Sequence, residues 1–182
     1  MQLYPYQYYH LYNQSNNEEV IFKSPENYGF FLKKYRLYLE TSLDTIAYCL
    51  MPTHFHCLVH ITSEDISHIK KNIGTLLSSY TKAINKLYQR HGNLFQEHTK
   101  AKHIDDDAYL ITLTAYIYQN PVRSRLVAKQ EDWRFSSYQD YIGMRNGTLP
   151  KKDIIINQFP SIEEFKKFSE QMLDRVKAKY WV

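Results

Sequence analysis

The chain has 182 residues, the length of one ordinary domain, and 43% of them are hydrophobic, enough for a sizeable core. The formal charge of +4 is mildly basic, which permits nucleic-acid binding without requiring it. Two cysteines exclude a disulfide scaffold, five glycines form neither GxGxxG nor GxxxxGK[ST], and neither an apolar run of ~18 residues nor a secretory leader occurs, so a reduced, cytoplasmic protein is expected.

Residues 8–13 (YYHLYN) are aromatic and short and predict a first strand. Ser24 and Pro25 predict a helix start, as N-cap and first helical residue. Phe30, Phe31, Tyr35 and Tyr38 then recur at helical spacing, so residues 25–40 read as an amphipathic helix. Residues 43–51 and 54–61 read as two strands of an antiparallel hairpin punctuated by Pro52-Thr53. Ser63, Glu64 and Asp65 are candidate caps for a helix over 65–89, with Gly92 its predicted C-cap. Residues 93–104 read as a fourth, irregular strand. Asp105, Asp106 and Asp107 suit a helix N-terminus, and a third helix is predicted from Tyr109 to about Asn120, broken by Pro121. Residues 122–160 read as loops and short helices anchored by Trp133, and 161–179 as a terminal amphipathic helix. The order strand, helix, strand, strand, helix, strand is the α+β, ferredoxin-like βαββαβ pattern. It gives one antiparallel sheet with two helices on one face, to which a tyrosine-bearing helix and a C-terminal helical extension are added.

Two local patterns carry chemistry. His54 and His56 are two apart on a strand, so their side chains share a face with Cα atoms ~6.6 Å apart. They read either as a pair of metal ligands or as two partly exposed surface histidines, and in either case their replacement is expected to cost little stability. Phe55, Cys57, Val59 and Ile61 form the opposite, apolar face. His60 lies ~20 Å along the strand from His54, too far to join the pair. The second pattern is Tyr116 with Asn120, at i and i+4 of the third helix and therefore on one face. A phenol can be a nucleophile and an amide oxygen a metal ligand. With 17 tyrosines in the chain, packing is the ordinary role of any one of them, and spacing does not choose. Tyr118 lies about 200° round the helix from Tyr116, and Tyr109 shares its face ~10 Å along the axis.

Longer strings add a resemblance. Met51-Pro52-Thr53-His54-Phe55-His56-Cys57-Leu58 resembles the MPNHxHxL signature of single-tyrosine HUH transposases. Residues 116–126 (YIYQNPVRSRL) resemble the YIxxNPVRAxL block of the same proteins, most closely the REP-associated tyrosine transposases, relatives of insertion-sequence-200-like elements. Residues 9–13, 92–96 (GNLFQ, against GxLFQ) and 133–138 (WRFSSY, against WxxSSY) match further family segments, and the resemblance covers about residues 8–142. Gln14-Ser15 stand where the family commonly has Arg-Gly, which bears on DNA contacts, and Thr53 stands where Asn is usual.

The resemblance implies a catalytic domain over residues 1–121 with 122–182 as an extension packed on it. It implies a nucleophile, Tyr116, and a divalent metal, Mg or Mn, held by His54, His56 and Asn120. The implied reaction is cleavage and rejoining of single-stranded, hairpin-forming or palindromic DNA through a 5′-phosphotyrosine. Lys100, Lys102, Arg123 and Arg125 flank the site in sequence and are candidate phosphate contacts. The family includes dimers that share His and Tyr between chains as well as monomers, so either state is open. A catalytically silent hairpin-DNA or RNA binder of the same fold is the alternative. A metal-dependent hydrolase would need acidic ligands beside the histidines, and neither HExxH nor a DxH companion is present.

Overall fold

The computed structural model describes residues 1–171, and the predicted continuation of the terminal helix to Lys179 lies outside them. Four strands, β1 (Tyr8–Gln14), β2 (Leu43–Met51), β3 (His54–Ile61) and β4 (Lys100–Ile104), form one sheet in the order β2-β3-β1-β4. Every neighbouring pair is antiparallel. Helix α1 (Pro25–Leu39) connects β1 to β2, and α2 (Ile66–Leu87) connects β3 to β4. This is the predicted ferredoxin-like arrangement.

Strand alternation sorts the core into two layers. Phe55, Cys57, Val59 and Ile61 of β3 and Tyr9 and Leu11 of β1 meet Phe31, Tyr35 and Leu39 of α1 and Ile69, Ile73, Leu76 and Tyr80 of α2. On the other face lies α3 (Asp107–Arg123), whose Leu110, Leu113, Tyr116 and Ile117 pack against Ile46, Ala47, Cys49 and Met51 of β2 and Leu58 of β3. A register shift between Thr45 and Ala47 lets the adjacent Ile46 and Ala47 both serve this second layer, as a β-bulge does.

Three short helices, α4 (Tyr138–Tyr141), α5 (Asp153–Ile156) and α6 (Ile162–Glu170), complete the described chain. They bring Tyr138, Tyr141, Ile155 and Phe165 into the α3 layer. Their connecting segments also close the free edge of β2, where Leu50 N–H donates to Phe135 O, Ser137 N–H to Tyr48 O and Lys151 N–H to Thr45 O. An edge strand otherwise presents unpaired backbone groups to other chains. Trp133 anchors this seal as predicted, its indole N–H donating to Leu50 O at 3.0 Å. Buried Asp140 fixes it from the other side, accepting from the Arg145 guanidinium at 2.6 and 2.8 Å and from Gly147 N–H at 2.8 Å.

Four local expectations change. β4 begins at Lys100, not residue 93, because residues 94–96 cross the end of β1: Asn16 N–H donates to Leu94 O and Gln96 N–H to Gln14 O. The 65–89 helix closes without Gly92. Gln89 takes the left-handed conformation (φ 50) and Arg90 N–H reaches back to Asn85 O at 3.0 Å, a Schellman-type ending. Gly92, at φ 83, serves the turn beyond. Ser24 holds the N-cap position of α1 without a side-chain capping bond. α3 starts at Asp107 and runs through Pro121 instead of breaking there. Proline cannot donate to the carbonyl four residues back, Ile117 O. The side-chain amide of Asn120 supplies a replacement donor at 3.3 Å.

Candidate active site

The α3 layer is apolar along most of its length and becomes polar at one end. Strand β3 presents His54, His56, Leu58 and His60 to it, the residues alternating with the Phe55 face. His54 and His56 are therefore brought together, with ring centroids 5.0 Å apart. The Tyr116 ring lies edge-on over His56, centroids 6.5 Å apart. Tyr116 is 7% exposed and Asn120 9%. His60 packs against Tyr8 at the far end of the strand, and Cys57 belongs to the opposite layer, so neither joins the pair.

The site is drier than the sequence suggests. His56 is 2% exposed, so the expectation of two partly exposed histidines is wrong for it, and with it the expectation that losing His56 costs little stability. One of the rings packed against it is His10, which sequence reasoning missed. β1 pairs with β3 so that Tyr12 faces His56, and His10, two residues earlier, shares that face. His10 Nε2 lies 3.0 Å from His56 Nδ1. Period-2 alternation of residues 8–13 puts His10 and Tyr12 on one face, but only the β1–β3 register shows which face.

Burial sets the protonation states. Desolvation, followed by the neighbouring His10 and His54, holds His56 well below the usual imidazole range. Burial likewise lowers His54. His10 is pushed down to about 3 by burial and the nearby Lys102 cation. All three rings are thus neutral at neutral pH, with a lone pair each. Burial raises the Tyr116 phenol above its usual value, and Arg123 opposes that shift. The Arg123 guanidinium carbon sits 5.6 Å over the Tyr116 ring and is braced by Gln119 Oε1 at 2.9 and 3.1 Å. Gln119 in turn donates to Ser169 O, which ties this arginine to the end of α6.

The fit of a metal ion can be judged from the donors. His54 Nδ1 lies 3.1 Å from Thr53 Oγ1 and His56 Nδ1 is taken by His10, which leaves both Nε2 atoms without a hydrogen-bond partner among the described residues. The Asn120 amide nitrogen donates to Tyr116 O at 3.0 Å and Ile117 O at 3.3 Å. Both partners are acceptors, so the amide orientation is fixed and Oδ1 points away from the helix backbone. By donor type, two imidazole nitrogens and one amide oxygen would suit a borderline divalent cation, Mn more closely than Mg. Among the described residues no group of three or more His, Cys, Asp or Glu could hold a metal ion.

The remaining candidates divide. Lys100 Nζ is 5.8 Å from the Tyr12 ring centroid, and Lys102 faces His10 across β1 and β4. With Arg123 they place three cations around the tyrosine end of the sheet. Arg125 stands in a left-handed turn (φ 56) past the end of α3, exposed, with no described contact to the site. Tyr118 faces away as predicted: its hydroxyl pairs with Ser137 Oγ at 2.9 Å and its ring packs on Tyr138 and Tyr141.

No family model matches the chain. A curated Haemophilus influenzae protein, provisionally named a REP-associated tyrosine transposase, is 30% identical over 103 residues. The match spans 52% of this chain and 58% of that relative's length, so the chain covers little more than half of it. In fold, the chain is similar to a REP-associated tyrosine transposase solved bound to a REP hairpin. The TM-score is 0.61 at 19% identity, covering 79% of this chain and 84% of that one. The chain is thus similar in sequence to the first protein and in fold to the second.

Proposed function

We propose that this chain is a REP-associated-type tyrosine transposase that cuts and rejoins single-stranded, hairpin-forming DNA with Tyr116 as nucleophile. The observation that carries the reading is the ring contact of Tyr116 with His56, at the polar end of an otherwise apolar layer. A tyrosine placed for packing alone would not need beside it an imidazole whose Nε2 has no hydrogen-bond partner among the described residues. The sequence relative's name and the structural neighbour's bound hairpin supply the substrate class.

His54, His56 and Asn120 would hold the divalent ion, which when bound supplies charge neutralisation at a phosphate. All three donors are neutral, so the negative charge at the site comes from the DNA. Tyr116 Oη attacks phosphorus. The Tyr–O–P bond forms, the P–O3′ bond breaks, and the phenolic proton ends on the released 3′ oxygen. Attack by a 3′-hydroxyl on the phosphotyrosine reverses the exchange. The ester conserves the bond energy, which agrees with the absence of nucleotide-binding glycine motifs. Arg123 holds the phenol in place and favours its ionisation. Lys100 and Lys102 would bind the strand's phosphates. Tyr116 and His56 meet within one chain, which supports a site complete in a monomer.

The test is incubation with a radiolabelled single-stranded hairpin and Mg or Mn, resolved on a denaturing gel. A covalent protein–DNA adduct that is absent from Tyr116→Phe is the expected result. Free ends without an adduct would mean a hydrolase, and a mobility shift with intact DNA would mean a binder.

A further inference from the structure

Two buried imidazoles face one another across β1 and β3. His10 Nε2 and His56 Nδ1 are 3.0 Å apart, and the rings stack with centroids 5.1 Å apart at 26°. His10 is 1% exposed, and its Nδ1 has no hydrogen-bond partner among the described residues. Among the described residues its one side-chain hydrogen bond is therefore with His56. A histidine so placed serves no capping or surface role.

A hydrogen bond between two neutral imidazoles needs one N–H and one lone pair, so two proton arrangements satisfy it. In the first, His56 Nδ1–H donates to His10 Nε2, and His56 keeps a lone pair on Nε2. In the second, His10 Nε2–H donates, and the proton of His56 sits on Nε2, where it blocks ligation. Ligating histidines generally donate their other ring N–H to an acceptor, which fixes tautomer and ring orientation. We propose that His10 is a positioning residue for His56: His10 Nε2 accepts the Nδ1 proton and so reserves the Nε2 lone pair for a divalent cation. The acceptor here is a neutral imidazole, where a carboxylate would add negative charge, which leaves the cation's charge undiminished for a phosphate. This inference rests on the metal-site reading above.

The test combines ring 15N NMR of the metal-free protein with Mn titration by calorimetry, in wild type, His10→Phe and His10→Gln. Phenylalanine keeps the ring volume and removes the acceptor, while the glutamine amide oxygen reaches the Nε2 position. In wild type and His10→Gln the proton of His56 is expected on Nδ1. In His10→Phe it moves wholly or partly to Nε2, and Mn affinity falls about 10- to 100-fold. Recovery of both in His10→Gln separates positioning from packing. A wild-type spectrum with the proton on Nε2 would overturn the inference, as would an unchanged tautomer and affinity in folded His10→Phe. Should His10→Phe fail to fold, the wild-type and His10→Gln spectra decide in the same way. A wild type with the Nδ1 proton in place but no Mn binding would support the tautomer role and refute the metal site.

Discussion

The two faces of one strand divide the labour of this molecule. From β3, Phe55, Cys57, Val59 and Ile61 enter a predominantly apolar layer with α1 and α2. His54, His56, Leu58 and His60 point the other way, into a layer that is apolar under Leu58 and polar under His54 and His56. Adjacent residues thus differ completely in surroundings, because side chains alternate along a strand. The sheet that gains its stability on one side is free to carry buried histidines and a buried tyrosine on the other. The proposed chemistry would come from polar residues that replace apolar ones at one end of a packed interface.

Substitutions on each face break or sharpen that division. Phe55→Ala removes a ring packed against Phe31 and Phe95 and should cost about 3–5 kcal/mol, read as a drop in denaturation midpoint. Folded protein that remains at low temperature should still form the adduct. His56→Ala should cost about 1–3 kcal/mol, because His10 is left with no partner in a buried site. It should also abolish metal-dependent cleavage, as chelation of the metal should in wild type. Retained cleavage by folded His56→Ala would remove the metal site from this face. Tyr118→Phe, on the same helix but turned into the core, should cost about 1 kcal/mol, because Ser137 keeps its bond from Tyr48 N–H. Its adduct yield should match wild type. The smallest effect concerns the cations at the rim. Neutralising Lys100 and Arg123 together should flatten the salt dependence of hairpin binding by about 1.4 in log–log slope, whereas Arg125→Ala, outside the site, should leave it unaltered. An equal effect from Arg125 would place the DNA further along the extension.

Much of this was readable from the chain, and the failures share a cause. β2 and β3 fall on the predicted residues because alternation and the Pro52-Thr53 punctuation are local signals. The sharing of a face by His54 and His56, and by Tyr116 and Asn120, follows from element periods alone. What required the fold was register. The approach of His10 to His56 depends on which residues of β1 oppose β3, and a single-residue slip would put His10 in the other layer. The burial of His56 follows from the same pairing. The passage of α3 through Pro121 depends on a side-chain bond from Asn120, which no propensity encodes. Residues 94–96 read as strand because Leu94 and Phe95 are apolar, yet those side chains plug the α1–α2 layer while the backbone crosses the end of β1.

The central claim is that the phenol at the polar end of the α3 layer makes the covalent bond to DNA, and identification of the linked residue tests it most directly. The protein is incubated with a single-stranded hairpin and Mn, digested, and the nucleotide-bearing peptide is sequenced by mass spectrometry. The predicted modification is on Tyr116, and Tyr116→Phe should bind hairpin and metal yet yield no modified peptide, while Tyr109→Phe and Tyr118→Phe yield it. A modification on Tyr109 or Tyr118, or one that persists in Tyr116→Phe, would contradict the account and withdraw the role of Asn120 with it.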